Sequence, residues 1–385
     1  MTPSPSFEAE GQFGTAPQTL RVGLFGVLTA RLRYGASLSP LPADALTALI
    51  EPDIRVARAW AKQRGATPTF LPSWGDFLSA EIPLSAMILP IPLRLRHDTI
   101  RACLERRIAV LCELPFAYSL KEQVALIQLA QEQNTLLMPV LPRAFDPAFR
   151  EVGKIVQEGT LGELRQVRVE WSLPMAESAV LENGVDDVEE DLLLQNLLCQ
   201  SVFTCQEWFG DPLTVSADVT AFRKENLRIR PKKLEENTLA TLIIAHERAQ
   251  VTQTVSRTRS SYPGERYLLT GTQGQLEFVA RSGTHHSTAA TPTITLHKGG
   301  HKEVLEEYGE YTQAMRIEEA LAYFLDSLRS ETPDLTLTKS MHLALNAVHG
   351  AYLSTVGSNK VSLPLHRAPS FESFFRRFET TKHLS

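Results

Sequence analysis

Apolar positions between residues 20 and 140 fall into short runs separated by stretches with helical spacing. The runs at 20–25, 45–50, 85–89, 109–112 and 136–140 read as strands. Between them, 54–64 places Ala57, Trp60 and Ala61 on one helical face, and 97–106 and 120–133 repeat the helical pattern. Strands alternating with helices predict a parallel sheet with right-handed crossovers. After residue 150 the pattern changes. A helix over 148–158 closes at Gly159. Period-two alternation then appears at 165–171, 213–222, 239–244, 249–257, 267–269, 275–279 and 293–296. One helix, 191–209, interrupts this series, and two more follow at 312–330 and 339–356. Long alternating strands with few crossovers predict an antiparallel or mixed sheet with one solvated or partner-covered face.

The predicted fold class is α/β: a Rossmann-like doubly wound parallel sheet, then an α+β domain with a large, mostly antiparallel sheet. The division is 20–142 and 143–365, with a Pro-, Ser- and Gly-rich lead-in at 1–19 read as disordered and a tail at 366–385. A length of 385 residues accommodates two domains. The net charge of −5 gives no electrostatic reason to expect nucleic acid or an anionic membrane as partner. No apolar run reaches the length of a membrane helix, and the N-terminus lacks a secretory pattern. Cys103, Cys112, Cys199 and Cys205 form no CxxC pair and no metal spacing, so they read as reduced, buried thiols of a cytoplasmic protein. His285 and His286, in a hairpin predicted over 281–302, read as solvated loop, and no metal site is expected.

Seven segments resemble, in order, one family: RVGLFG (21–26), LIEPD (49–53), LCELPFAYSLKE (111–122), PRAFDPAF (142–149), EGTLGELRQVRVEW (158–171), GTQGQLEF (271–278) and AVHGAYLSTVGSNKVSLP (347–364). They are similar to the motifs of the glucose–fructose oxidoreductase/inositol dehydrogenase/MocA (Gfo/Idh/MocA) family. The resemblance covers about 20–365. It implies NAD(P) as cofactor, a sugar, polyol or related hydroxy compound as ligand, and a homodimer or tetramer assembled through the second-domain sheet.

The chemistry-bearing positions depart from the pattern so implied. A dinucleotide loop uses three glycines, for the turn, for the approach of the pyrophosphate and for helix–strand packing. Gly23 lies in the first strand and Gly26 holds the first loop position, but Leu28 and Arg31 stand in the other two. Glu51, ending the second strand, matches the acid that holds the adenosine ribose and favours NAD; alternatively it opens the next helix. In the segment Pro90-Ile91-Pro92-Leu93, Pro92 is retained while the polar neighbours have become Ile91 and Leu93. In Cys112-Glu113-Leu114-Pro115, Leu114 replaces a lysine that assists proton movement, and leucine exchanges no proton. Glu113 reads either as a carboxylate in the cleft or as a brace for its own loop. On the 191–209 helix, Asn196 and Gln200 occupy the places of an aspartate and the histidine base. The i, i+4 spacing keeps them on one face, but amides do not titrate. The acidic run 186–191 reads as complementing that helix's N-terminus. Arg143 reads either as a substrate-cleft residue or as half of a structural ion pair.

These losses together predict a pseudoenzyme: a non-catalytic member binding a small sugar- or polyol-like ligand or a protein partner. The alternative is an active NAD(P)-dependent oxidoreductase using a non-standard base, with Glu113 and Tyr118 as substitutes.

Overall fold

Short runs of consecutive apolar residues bury both faces of a strand, and the first sheet forms from such runs. The structure is a computed structural model that describes residues 20–27, 30, 38–174, 187–221, 237–258, 264–282, 290–307, 313–330 and 332–365. Strands β1 (Val22–Phe25), β2 (Leu46–Ile50), β3 (Thr69–Leu71), β4 (Ala86–Leu89), β5 (Ala109–Cys112) and β6 (Leu137–Pro139) are all parallel, in the order β3-β2-β1-β4-β5-β6. Chain direction across the sheet reverses between β1 and β4. Their C-terminal ends therefore form the crevice at which open α/β sheets take ligands.

Helices α1 (Ile54–Gln63), α2 (Trp74–Ser79), α3 (Leu93–Glu105) and α4 (Leu120–Glu132) connect these strands. Asp53 caps α1 by accepting the Arg55 N–H, and Ser119 with Glu122 forms a reciprocal capping box on α4. Helix α3 starts four residues before its predicted start at 97. Its buried stripe contains Leu93, Arg96, Ile100 and Cys103, and the arginine in that stripe interrupts the apolar signal. β3 and α2 were not predicted because three and six residues are too few for a readable period.

The 3-10 turn Pro142–Phe145 leads to α5 (Pro147–Gln157), whose N-terminus is capped by Asp146 with Pro147 in the first turn. The second sheet has nine strands: β7 (Leu164–Pro174), β8 (Pro212–Ala221), β9 (Asn237–His246), β10 (Gln250–Thr258), β11 (Gly264–Gly271), β12 (Gln275–Ser282), β13 (Ala290–Lys298), β14 (His301–Glu307) and β15 (Val361–Ser362). Their order is β14-β13-β12-β11-β7-β10-β9-β8-β15, antiparallel except for the β7–β10 pair. The predicted hairpin over 281–302 is instead two successive hairpins. Gly299 and Gly300, both at positive φ, turn β13 into β14. His285 and His286 lie outside the described residues. The charged sequence of β14, an edge strand, hid it from the alternation signal.

Helices α6 (Asp187–Phe209), α7 (Gln313–Ser327) and α8 (Thr336–Gly357) complete the architecture. The acidic residues 187–191, expected before α6, fall inside its first turns. Alternate residues Val167, Val169, Tyr267, Leu269, Leu276 and Phe278 form the inner face of the sheet and pack with Phe149 and Trp208 of the overlying helices. Gly153 leaves the room for Trp208, whose indole N–H donates to the Phe149 carbonyl at 3.0 Å. A side chain at Gly271 would collide with the Leu161 carbonyl, which accounts for glycine in the GTQG turn. Thr338 of α8 donates to the Leu137 carbonyl of β6, tying the last helix to the first sheet. All four cysteines are buried free thiols, as the sequence implied. Burial raises the proton affinity of Cys103, Cys199 and Cys205, in the last case up to about 12. Among the described residues no helix is long and apolar enough to cross a membrane.

Candidate functional site

Five residues singled out from the sequence occupy the same edge of the first sheet. Gly26 follows β1, Glu51 follows β2, Pro92 follows β4, Glu113 follows β5 and Arg143 follows β6. Parallel strands make this convergence automatic, since every C-terminal end points the same way. Gly26 turns the chain with φ +95, and a Cβ there would stand 3.0 Å from the Pro90 carbonyl and 3.6 Å from Ile91 Cγ2. The Ile91 side chain thus lies against the glycine turn and is itself only 1% exposed. Gly23 plays a different part. It sits inside β1, where a Cβ would meet the side chains of Leu84 and Met87, so packing against the neighbouring strand explains it.

Glu51 is buried, and its Oε1 accepts the Asp53 N–H at 3.3 Å. Leu114 and Leu93 are buried in the same continuous core as Ile91 and Phe116. The floor where the family pattern places a lysine and two polar side chains is therefore hydrocarbon.

Glu113 pairs with Arg96 at 2.9 Å. The Arg96 guanidinium also donates to the Ile91 carbonyl at 2.9 Å and the Pro115 carbonyl at 3.1 Å. One side chain thereby joins the loop after β4 to the loop after β5, an arrangement that fits the bracing reading of Glu113. Sequence reasoning missed Arg96; the available signal was an arginine on the otherwise apolar stripe of α3. Tyr118 is half-buried just ahead of the α4 cap.

Arg143 lies in a buried polar cluster. One edge of its guanidinium pairs with Glu265 of β11, and its plane lies between the Phe149 ring at 4.7 Å and the Trp171 ring at 4.6 Å. Beside it, Arg316 of α7 pairs with Asp146 at 2.7 Å. The Tyr267 hydroxyl donates to Glu265 at 3.4 Å. Burial, and then the Glu265 carboxylate, push this phenol well above its ordinary range. Burial works against the Arg143 charge, but the carboxylate beside it more than compensates and holds its proton more tightly than usual. Glu265, Arg316 and Tyr267 carried no sequence motif, since only the tertiary fold brings β11 and α7 to the turn after β6.

Gln200 is half-buried on α6, whose continuous helix preserves the i, i+4 relation to Asn196. The Asn196 side chain, Leu28 and Arg31 lie outside the described residues. Among the described residues no three His, Cys, Asp or Glu side chains converge on a possible metal position.

Two family models match this chain. Residues 20–140 match the oxidoreductase family with an NAD-binding Rossmann fold, and 149–277 match the GFO/IDH/MocA C-terminal domain. The chain belongs to the Gfo/Idh/MocA oxidoreductase family. A D-xylose 1-dehydrogenase (NADP(+)) from Haloferax volcanii is 27% identical over 208 residues, 52% of this chain and 61% of that protein. An inositol 2-dehydrogenase from Corynebacterium glutamicum is 26% identical over 153 residues, 39% of this chain and 45% of that protein. The matches thus span about half the length of these curated relatives. In fold, the chain resembles an oxidoreductase from Agrobacterium radiobacter solved with NAD+, L-tartaric acid and magnesium. The TM-score is 0.73 at 14% identity, covering 90% of this chain and 98% of that one. It also resembles a 3-ketoreductase from Actinomadura kijaniata solved with NADP and TDP-benzene, with a TM-score of 0.65 at 18% identity over 85% and 95% of the two chains.

Proposed function

We propose that this family member is non-catalytic and uses its cleft to bind a small oxygen-rich ligand. The observation that carries the reading is Leu114, 6% exposed in the lysine position and continuous with Ile91 and Leu93 in the hydrocarbon core. Hydride transfer from an alcohol needs a group to take the hydroxyl proton. Gln200 at the base position does not titrate, and Arg96 holds the neighbouring Glu113 carboxylate. The fit to a dinucleotide is uneven. Gly26 and Glu51 stand where the adenosine half would need them, but the nicotinamide end would meet Ile91, Leu93 and Leu114 in place of polar partners. No chemical step through the cofactor follows from these residues.

Glu51 and the Gly26 turn favour a second reading, an active NAD(P)-dependent oxidoreductase on a sugar or polyol, as in the named relatives. Tyr118 is then the remaining candidate base. Titration of the purified protein with NADH and NADPH, followed by nucleotide fluorescence, separates the two. The expected result is no saturable binding at micromolar nucleotide and no reduction of NAD+ or NADP+ with myo-inositol, D-xylose or D-glucose. Tight binding of either nucleotide overturns loss of the cofactor site, and turnover of any of these substrates overturns the non-catalytic reading.

The same reading takes the open face of the second sheet as the surface for a second copy of the chain. Ile243, 45% exposed, and Leu268 lie on that face with Thr252 and Arg168 between them in register. A single monomer boundary at all concentrations in sedimentation velocity would remove this part. The free, buried cysteines are consistent with a reducing, cytoplasmic location.

A further inference from the structure

The Arg143 guanidinium is held unusually firmly and yet is not fully used. Two aromatic rings fix its plane, and one edge is taken by Glu265. The other edge, Nη1, is buried without a hydrogen-bond partner. The neighbouring carboxylates are already committed. Glu265 also accepts from Tyr267, while Asp146 pairs with Arg316 and caps α5 through the Ala148 N–H at 3.0 Å. A buried N–H left unmet costs about 1–3 kcal/mol, and more for a charged donor. The position therefore calls for an acceptor. The cluster lies close to the surface, with 8% of the Arg143 side chain and 9% of the Glu265 side chain exposed, although Nη1 itself is covered. It lies at the C-terminal edge of the first sheet, where ligands of open α/β folds sit. Ser201, the residue after Gln200 on α6, lies beside Tyr267.

We propose that the ligand is a hydroxy acid of the sugar-acid class. Its carboxylate accepts from the free Nη1 edge of Arg143, and its hydroxyls extend toward the Gln200 face of α6. A carboxylate supplies acceptors only and matches the planar guanidinium fork, whereas a neutral polyol leaves the charge of that edge uncompensated. The Gln200 amide suits the rest of such a ligand, since it can donate to and accept from hydroxyls without ionising. The proposal rests on the ligand-binding reading above and narrows its ligand to an anion.

D-gluconate and D-glucitol make a matched pair of probes, differing at one carbon that is carboxylate in the first and alcohol in the second. Binding is read by calorimetry at constant ionic strength without nucleotide. D-gluconate is expected to bind at least about tenfold more tightly than D-glucitol, a difference of ~1.4 kcal/mol. Glu265→Gln, which keeps an acceptor for Arg143 but removes the competing charge, is expected to tighten D-gluconate binding several-fold. The double variant Arg143→Met/Glu265→Gln removes both charges together and is expected to abolish it.

Equal affinity for the two probes overturns the proposal, and so does an unchanged D-gluconate response in the double variant. Absence of D-gluconate binding overturns it as well, leaving a structural water as the acceptor. If the double variant fails to fold, Glu265→Gln alone decides, since weaker or unchanged binding contradicts the proposal. Failure here leaves the non-catalytic reading standing. Conversely, turnover would sink that reading without touching the carboxylate result.

Discussion

Glu265→Ala will destabilise the fold by roughly 3–5 kcal/mol, the cost of leaving a buried charge without its counter-ion. Arg143 cannot respond by losing its proton, since a guanidinium stays charged at any working pH. It also cannot swing to water, because Phe149 and Trp171 hold its plane from both sides. The nearest alternative carboxylate, Asp146, is fully buried and already paired with Arg316. Urea unfolding of wild type and variant measures the loss, expected as a lower midpoint with an unchanged slope. The double variant Arg143→Met/Glu265→Leu is expected to recover most of it, because a buried ion pair replaced by apolar side chains of similar volume is often neutral. A loss below about 1 kcal/mol in Glu265→Ala would show the pair to be as weak as an exposed one, and its burial to be incomplete in solution.

The sequence was most informative where the physics is local. Consecutive apolar residues located five of the six strands of the first sheet, and strand alternation located most of the second. Once the strands are parallel, their C-terminal ends must share an edge, so Gly26, Glu51, Pro92, Glu113 and Arg143 could be placed together before any coordinates. The partners of these residues were not legible. Arg96 meets Glu113 across 17 positions and Glu265 meets Arg143 across 122, and no periodicity encodes such distances. Glu113 and Arg143 each had two readings in the sequence, a cleft role and a structural one. For Glu113 the partner favours the structural reading, since Arg96 ties it to both loops. For Arg143 the partner satisfies one edge of the fork and leaves the other, so pairing with Glu265 does not exhaust the side chain. Gly23 shows the opposite case: a glycine inside a motif-like segment for which the bulk of Leu84 and Met87 is already a sufficient reason.

Leu114→Lys, which places a lysine where the family resemblance implies one, is expected on the non-catalytic reading to add no turnover and to cost roughly 3–4 kcal/mol at neutral pH. That figure corresponds to a buried lysine whose proton affinity falls by about two to three units. The ammonium would enter the core that holds Ile91, Leu93 and Phe116, and the nearby Glu113 is already engaged by Arg96. The sign of the pH dependence follows from the depressed value. Below the folded pKa both states are protonated and the full penalty applies. As pH rises through the folded value toward the unfolded value near 10.4, the native lysine sheds its proton first and the penalty disappears. The stability gap between variant and wild type is therefore expected to narrow from about pH 7.5 to about pH 10.5, read by urea melts across that range. A lysine accommodated at no cost, or a variant that gains NADH binding or turnover, would mean that the floor opens to a cofactor in solution. The proposed loss of chemistry would then come down to a few side chains. If the penalty appears and fades with pH as described, the hydrocarbon floor formed by Ile91, Leu93 and Leu114 is a property of the packing as a whole. Recovering hydride transfer would then require rebuilding both loops that Arg96 joins.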